Sequence, residues 1–173
     1  NFIDTFVNNK LNQLQYLPSE LCTDDEFMRR LYLDVLGVLP EIDEVQAFLD
    51  DPTKDKREQL IELVLQRPEY AKFWALRWGD LLKLNEKKVT AEGMHKYYDW
   101  IVRSFAGNVP FDVFCRDLLT AEGSTYQVPA ANFYRTAETV NSCAETSAQL
   151  FMGVRIQCAK CHNHPFERWT QDN

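Results

Sequence analysis

The sequence predicts an all-α fold, an irregular bundle of about seven or eight helices forming a single domain over residues 1–173. Three observations predict it. Apolar residues recur at helical spacing in nearly every segment. The joints between segments carry capping or helix-breaking residues. Strand-like alternation persists for no more than about four residues, with one marginal exception at Gly153-Val154-Arg155-Ile156-Gln157.

The first helix is marked by Phe2, Ile3, Phe6, Val7, Leu11 and Leu14 on one face, broken only by Lys10, and Pro18-Ser19 ends the pattern. Thr23-Asp24-Asp25-Glu26 has the signature of a capping box, with Thr23 capping the next helix and Glu26 reaching back. That helix buries Phe27, Met28, Leu31, Tyr32, Val35 and Leu36. Gly37 ends it, and Pro40 prevents a simple restart. A short helix over 41–49 stops before Asp50-Asp51-Pro52, and another over 54–66 buries Leu60, Ile61, Val64 and Leu65. Arg67-Pro68-Glu69 opens the next with proline in its first turn, and Tyr70, Phe73, Trp74, Trp78, Leu81 and Leu82 follow on it. A polar link over 85–88 leads to a helix over 90–105 closed by Gly107-Asn108, and a shorter one spans 110–119. Over 121–135 the periodicity fails, and Gly123, Pro129 and paired alanines predict a loop crossing the surface. A last long helix is expected from Thr136, with Ala137, Val140, Ala144, Ser147, Ala148 and Phe151 on its inner face and Gly153 at its end.

Composition excludes several functions. No apolar run approaches the roughly 18 residues a membrane span requires, so no membrane insertion within this chain is expected. A net charge of −7 and a pI near 5.0 argue against a nucleic-acid partner, which needs a basic face. The opening Asn1-Phe2-Ile3-Asp4 lacks the basic start of a signal peptide and so gives no address. Of five cysteines, Cys22, Cys115 and Cys143 are scattered without a disulfide-framework spacing, and Cys115 and Cys143 suit buried apolar positions.

The other two belong to Cys158-Ala159-Lys160-Cys161-His162, in the turn after the last long helix. A c-type haem needs two thiols to add across the porphyrin vinyl groups and an imidazole to bind the iron, and Cys-x-x-Cys-His supplies all three at one short spacing. Cys158 and Cys161 would form the thioethers and His162 the proximal ligand. Two other chemistries stay open. Cys158, Cys161, His162 and His164 are a legal ligand set for tetrahedral zinc, although four ligands within seven residues make a cramped cage. A redox dithiol would expect a strand leading into a helix, and the surroundings are helical.

Around the motif, His164 is too near His162 to reach the opposite haem face and reads as a haem-edge or hydrogen-bonding residue. Trp169 is placed to cover the ring, and Arg155, Lys160 and Arg168 to pair with the propionates. His95 is the sole distant histidine and the candidate distal iron ligand, while Met28, Met94 and Met152 suit core packing better.

The stretch 150–169, which carries Cys158-Ala159-Lys160-Cys161-His162-Asn163-His164-Pro165-Phe166, closely resembles the haem segment of a planctomycete-type cytochrome domain family of unknown function. Phe2-Ile3-Asp4 resembles the opening of that family, Arg29-Arg30-Leu31-Tyr32-Leu33-Asp34-Val35-Leu36-Gly37 its first signature helix, and Arg67-Pro68-Glu69-Tyr70 its second. The turn Val38-Leu39-Pro40-Glu41 departs from the more usual proline- and threonine-rich one. The resemblance implies one covalent haem c, export to the periplasm or another extracytoplasmic space, and a further domain downstream in a larger protein. It implies no reaction. An electron-transfer module with an unidentified redox partner is therefore expected. The alternatives are an open-site haem enzyme or sensor, for which His95 and Arg77 would be the distal pair, and a zinc-stapled structural module.

Overall fold

The computed structural model describes residues 1–85 and 87–172. Glu86, in the predicted link 85–88, and Asn173 lie outside the described residues. Among the described residues the fold is all-helical, with nine α-helices and no strand. They are α1 (Phe2–Gln13), α2 (Asp24–Leu36), α3 (Ile42–Asp50), α4 (Lys56–Leu65), α5 (Pro68–Leu81), α6 (Ala91–Ala106), α7 (Phe111–Leu119), α8 (Asn132–Thr136) and α9 (Val140–Phe151). Two 3-10 turns, Pro129–Ala131 and Gln157–Lys160, complete the order.

Two apolar clusters hold the bundle. The first joins α2, α3 and α4 through Met28, Tyr32, Leu36, Phe48, Leu60 and Val64, with Tyr70 of α5 packed against it. Met28, Tyr32 and Leu36 recur every four residues, which puts them on one face of α2. Gly37 closes that helix in the left-handed region, at φ +69°, where a residue without Cβ is unstrained. The second cluster lies along α5 and α6, the most extensively packed pair. It gathers Ala75, Leu82, Tyr97, Ile101, Phe114, Leu118, Ala130 and Phe133, with Leu150 and Phe151 of α9 packed against it. Helix α5 thus links the two halves.

Ion pairs at the helix ends lock the first half. Arg67 bonds Glu44 at 2.6 Å and Glu69 at 2.9 Å, and its guanidinium lies 5.5 Å from the Tyr32 ring centre. The bond from Arg67 holds the Glu69 carboxyl down at about 2, and the same pairing raises Arg67 itself. Asp24 receives Lys56 and Arg57, whose hydrogen bonds lower its carboxyl below the usual range. Burial, with the Glu44 carboxylate nearby, pushes the Tyr32 phenol up.

Several expectations need correction. Thr23 occupies the cap position of α2 but its side chain makes no capping bond, and its hydroxyl bonds the Asp25 carboxylate, lowering that carboxyl. The reciprocal capping box is instead on α3, between Glu41 and Glu44. The expected surface loop is present over 121–128, which is non-helical and mostly exposed, but 129–135 form a 3-10 turn and α8 instead. Ala130, Ala131, Asn132 and Phe133 are buried, and Asn132 donates Nδ2 to the carbonyls of Thr125 and Pro129, at 3.0 Å each. Side-chain donors therefore satisfy a backbone that would be costly to bury alone. Helix α9 starts at Val140, since Thr136 ends α8. Its buried residues are Thr146 and Ala148, while Val140 and Ala144 face solvent. Gly153 to Gln157 form no strand. Met28 is core as expected, but Met152 is exposed. Helix α1 forms as predicted, yet none of its residues is buried.

Candidate functional site

The motif is carried by the chain leaving α9. The Val154 amide donates to Ala148 O at 3.1 Å, which turns the chain back along the helix it has just left. Gln157 Nε2 donates to Gln149 Oε1 at 2.7 Å, and Lys160 Nζ stands 3.8 Å from Glu145. Helix α9 is itself tied to the end of α5 by Lys83 Nζ donating to Thr146 Oγ1 at 3.1 Å. Phe151, its last residue, stacks on Trp78 at 6.4 Å and 14°. Trp78 with Tyr70, Phe105, Phe111 and Phe114 lines an apolar cavity of about 400 Å³.

Gln157–Lys160 is one 3-10 turn, continued by Cys161 N donating to Cys158 O and by His162 N to the same carbonyl. Ala159 points inward and is buried, whereas Cys158 and Cys161 are exposed free thiols. Cys158 lies within the turn and Cys161 caps it, three residues further on. Behind the turn lies a cavity of about 120 Å³ bounded by Ala144, Glu145, Ile156, Ala159 and Gln171.

The two histidines of the motif have opposite polarity. His162 Nδ1 lies 2.7 Å from Asn163 O, and a carbonyl can only accept, so Nδ1 carries the proton and neutral His162 keeps its lone pair on Nε2. His164 Nδ1 lies 3.3 Å from Phe166 N and 3.0 Å from Glu167 N, and amides can only donate. Its Nδ1 therefore holds the lone pair, and neutral His164 has its proton on Nε2. Its own amide donates to Trp169 O at 2.8 Å. His164 closes the loop after the motif, and to bind a metal through Nδ1 it would have to release both amides. Among the described residues no three His, Cys, Asp or Glu side chains are grouped to hold a metal ion.

The residues present fit a c-type haem in donor chemistry: two outward thiols on one turn, then an imidazole with Nε2 free. The structure brings together Cys158, Cys161, His162, His164, Lys160 and Trp169. Arg155 is exposed on the same segment, and Arg168 lies over the Trp169 ring at 5.6 Å. It does not bring His95 among them. His95 is exposed on α6, and its Nδ1 bonds Ala91 O at 2.7 Å, one turn back on its own helix. Arg77, its proposed companion, lies over the Phe73 ring instead. Cys22, Cys115 and Cys143 are free and half-buried, and burial pushes the Cys115 thiol up.

Sequence reasoning missed Glu145 and Asn163. Glu145 Oε1 is buried without a hydrogen-bond partner beside the motif turn. Asn163 orients His162 through its carbonyl and accepts Gln171 N on Oδ1 at 3.3 Å. The placement of Asn163 between two histidines was the available signal for it, whereas nothing in the helical stripe marked Glu145.

No helix among the described residues is long and apolar enough to cross a membrane. No curated protein and no solved structure gives a significant match to the chain. A family model does match, over residues 2–173, and its description is PSCyt2, protein of unknown function (DUF1549). The name is that of a planctomycete cytochrome c-like domain. The chain belongs to the PSCyt2 (DUF1549) family.

Proposed function

We propose that this domain carries one covalent haem c on Cys158 and Cys161, with His162 as proximal iron ligand, and that it transfers electrons in a periplasmic or other extracytoplasmic space. The observation that carries the reading is the arrangement of three donors on a single turn, two exposed thiols and an imidazole whose Nδ1–H is held by a backbone carbonyl. Such a second bond orients a ligating imidazole and fixes which nitrogen meets the metal. The family name supports it.

When bound, the haem supplies one-electron chemistry at iron. The chain's own residues attach and orient it. Cys158 and Cys161 anchor it, Asn163 O holds the His162 ring, and Arg155, Lys160 and Arg168 offer cations to carboxylates at its edge. His95, which stands apart from the motif in this structure, is the proposed distal ligand because its Nδ1–H on the Ala91 carbonyl leaves the lone pair of the neutral ring on Nε2, and it would have to meet the haem face on loading.

The test is production in a host with haem-attachment machinery. The chain gains the mass of one haem and keeps it through denaturation, and Cys158→Ala with Cys161→Ala releases it. Unmodified thiols with stoichiometric zinc would refute the proposal. In the loaded protein, His95→Ala turns the reduced haem high-spin and reactive to carbon monoxide. An unchanged spectrum would remove His95 from the site.

A further inference from the structure

We propose that Glu145 and Gln149 of α9 are positioning residues that seat the thiol-bearing turn, and with it the haem, against the helical body; the proposal rests on the haem reading above. The turn has little apolar anchorage of its own, since from Gln157 to Asn163 only Ala159 is buried. Two polar contacts hold it instead. Gln157 Nε2 donates to Gln149 Oε1 at 2.7 Å, and the Lys160 ammonium stands 3.8 Å from Glu145 Oε1.

The spacing of the two contacts is matched on both sides. Glu145 and Gln149 are four residues apart on an α-helix, a rise of about 6 Å, and neighbours on one face of it. Gln157 and Lys160 are the two ends of a 3-10 turn, three residues apart, which is again a rise of about 6 Å. The turn therefore lies antiparallel along α9 in register, after Gly153 at φ +68° has reversed the chain. Glu145 Oε1 is buried without a hydrogen-bond partner. A desolvated carboxylate oxygen is costly unless a charge offsets it, and Lys160 supplies that charge. The next residue, Thr146, receives the bond from Lys83, so the clasp is tied to the end of α5. Gln157 precedes the first cysteine and Lys160 the second, so the two contacts fix the stretch that carries both thioethers.

Trypsin cleavage after Lys160 reports the clasp without haem, because that side chain is half exposed and reachable once released. In the unloaded chain, Glu145→Ala with Gln149→Ala should speed this cleavage about tenfold. Cleavage after Arg116 of α7 and the thermal melt should stay as in wild type, since neither replaced residue belongs to an apolar cluster. Gln149→Ala alone should speed the cleavage severalfold, whereas Gln149→Lys with Gln157→Glu rebuilds the contact as an ion pair and should slow it again. In the loaded protein, the double alanine variant should keep one covalent haem by mass. It should lose at least half of the Soret circular dichroism, the signature of a haem held in one orientation. An unchanged rate after Lys160, a faster rate accompanied by a lowered melt, or an unchanged Soret signal would each overturn the proposal. A wild-type chain that takes up no haem would overturn the haem reading and this proposal together, whereas a loaded wild type with indifferent variants would overturn this proposal alone.

Discussion

Replacing Gly37 by alanine tests the way α2 is stopped and seated on α5. Gly37 adopts φ +69°, a region that costs an L-residue about 1–2 kcal/mol. A Cβ built there falls 2.2 Å from Phe73 Cδ2 and 2.5 Å from Cε2, well inside contact distance. The ring cannot move freely, since Trp74 packs at its edge at 5.7 Å and the Arg77 guanidinium lies 5.3 Å from its centre. Shifting a packed ring costs about 1–3 kcal/mol, which brings the total to about 2–5 kcal/mol. For a chain of this length that lowers Tm by about 5–15 °C. Urea unfolding gives the free energy directly. Phe73→Ala removes the obstruction, so the double variant should cost less than the sum of the singles by about 1–3 kcal/mol. A Gly37→Ala protein within about 0.5 kcal/mol of wild type, or strict additivity with Phe73→Ala, would refute the seating of Gly37 against that ring.

Three further outcomes follow from named contacts. Glu69 has a folded-state pKa of about 2 against an ordinary 4.5, so its stabilisation is complete above pH 4.5 and is lost as pH falls toward 2; Tm should drop across that window, less steeply in Glu69→Gln. Asn132→Ala strips donors from the carbonyls of Thr125 and Pro129 in a buried segment, and urea unfolding should show a loss of about 2–4 kcal/mol. His164→Ala should leave haem attachment and its spectrum intact while the amides of Phe166 and Glu167 exchange faster by about tenfold, the equivalent of two exposed hydrogen bonds. Loss of haem in that variant would make His164 more than a loop closure.

The helices legible in the sequence were those whose own residues carry the signal. Met28, Tyr32 and Leu36 lie on one stripe, Gly37 supplies the stop, and Pro68 the start of α5. Helix α8 was not legible. It has five residues, too few for a stripe, and it is buried because Asn132 satisfies carbonyls that a sequence pattern assigns to solvent. Thr23 stands at the cap position of α2 without the side-chain bond its residue type predicts, while its hydroxyl bonds the Asp25 carboxylate. For α1 the periodicity correctly gave a helix with an apolar face, but periodicity reports only that a face exists. What covers it depends on tertiary or quaternary contact.

At the site, the donor types and their order were fully legible, since Cys158 to His162 are contiguous. The states of the two imidazoles were not, because each depends on where backbone groups fall after folding. Asn163 presents a carbonyl to His162, and the loop returning through Phe166 and Glu167 presents amides to His164. Residues two apart in sequence thus acquire opposite roles. His162 keeps Nε2 open for a ligand, while His164 spends its Nδ1 lone pair on the chain and keeps a proton on Nε2. A zinc cage would need four equivalent donors, whereas a haem attached through two thioethers needs only one imidazole from this turn. The polarity of the two rings therefore separates their roles: His162 Nε2 stands open beside the two thiols, and His164 Nδ1 is engaged by the loop that follows.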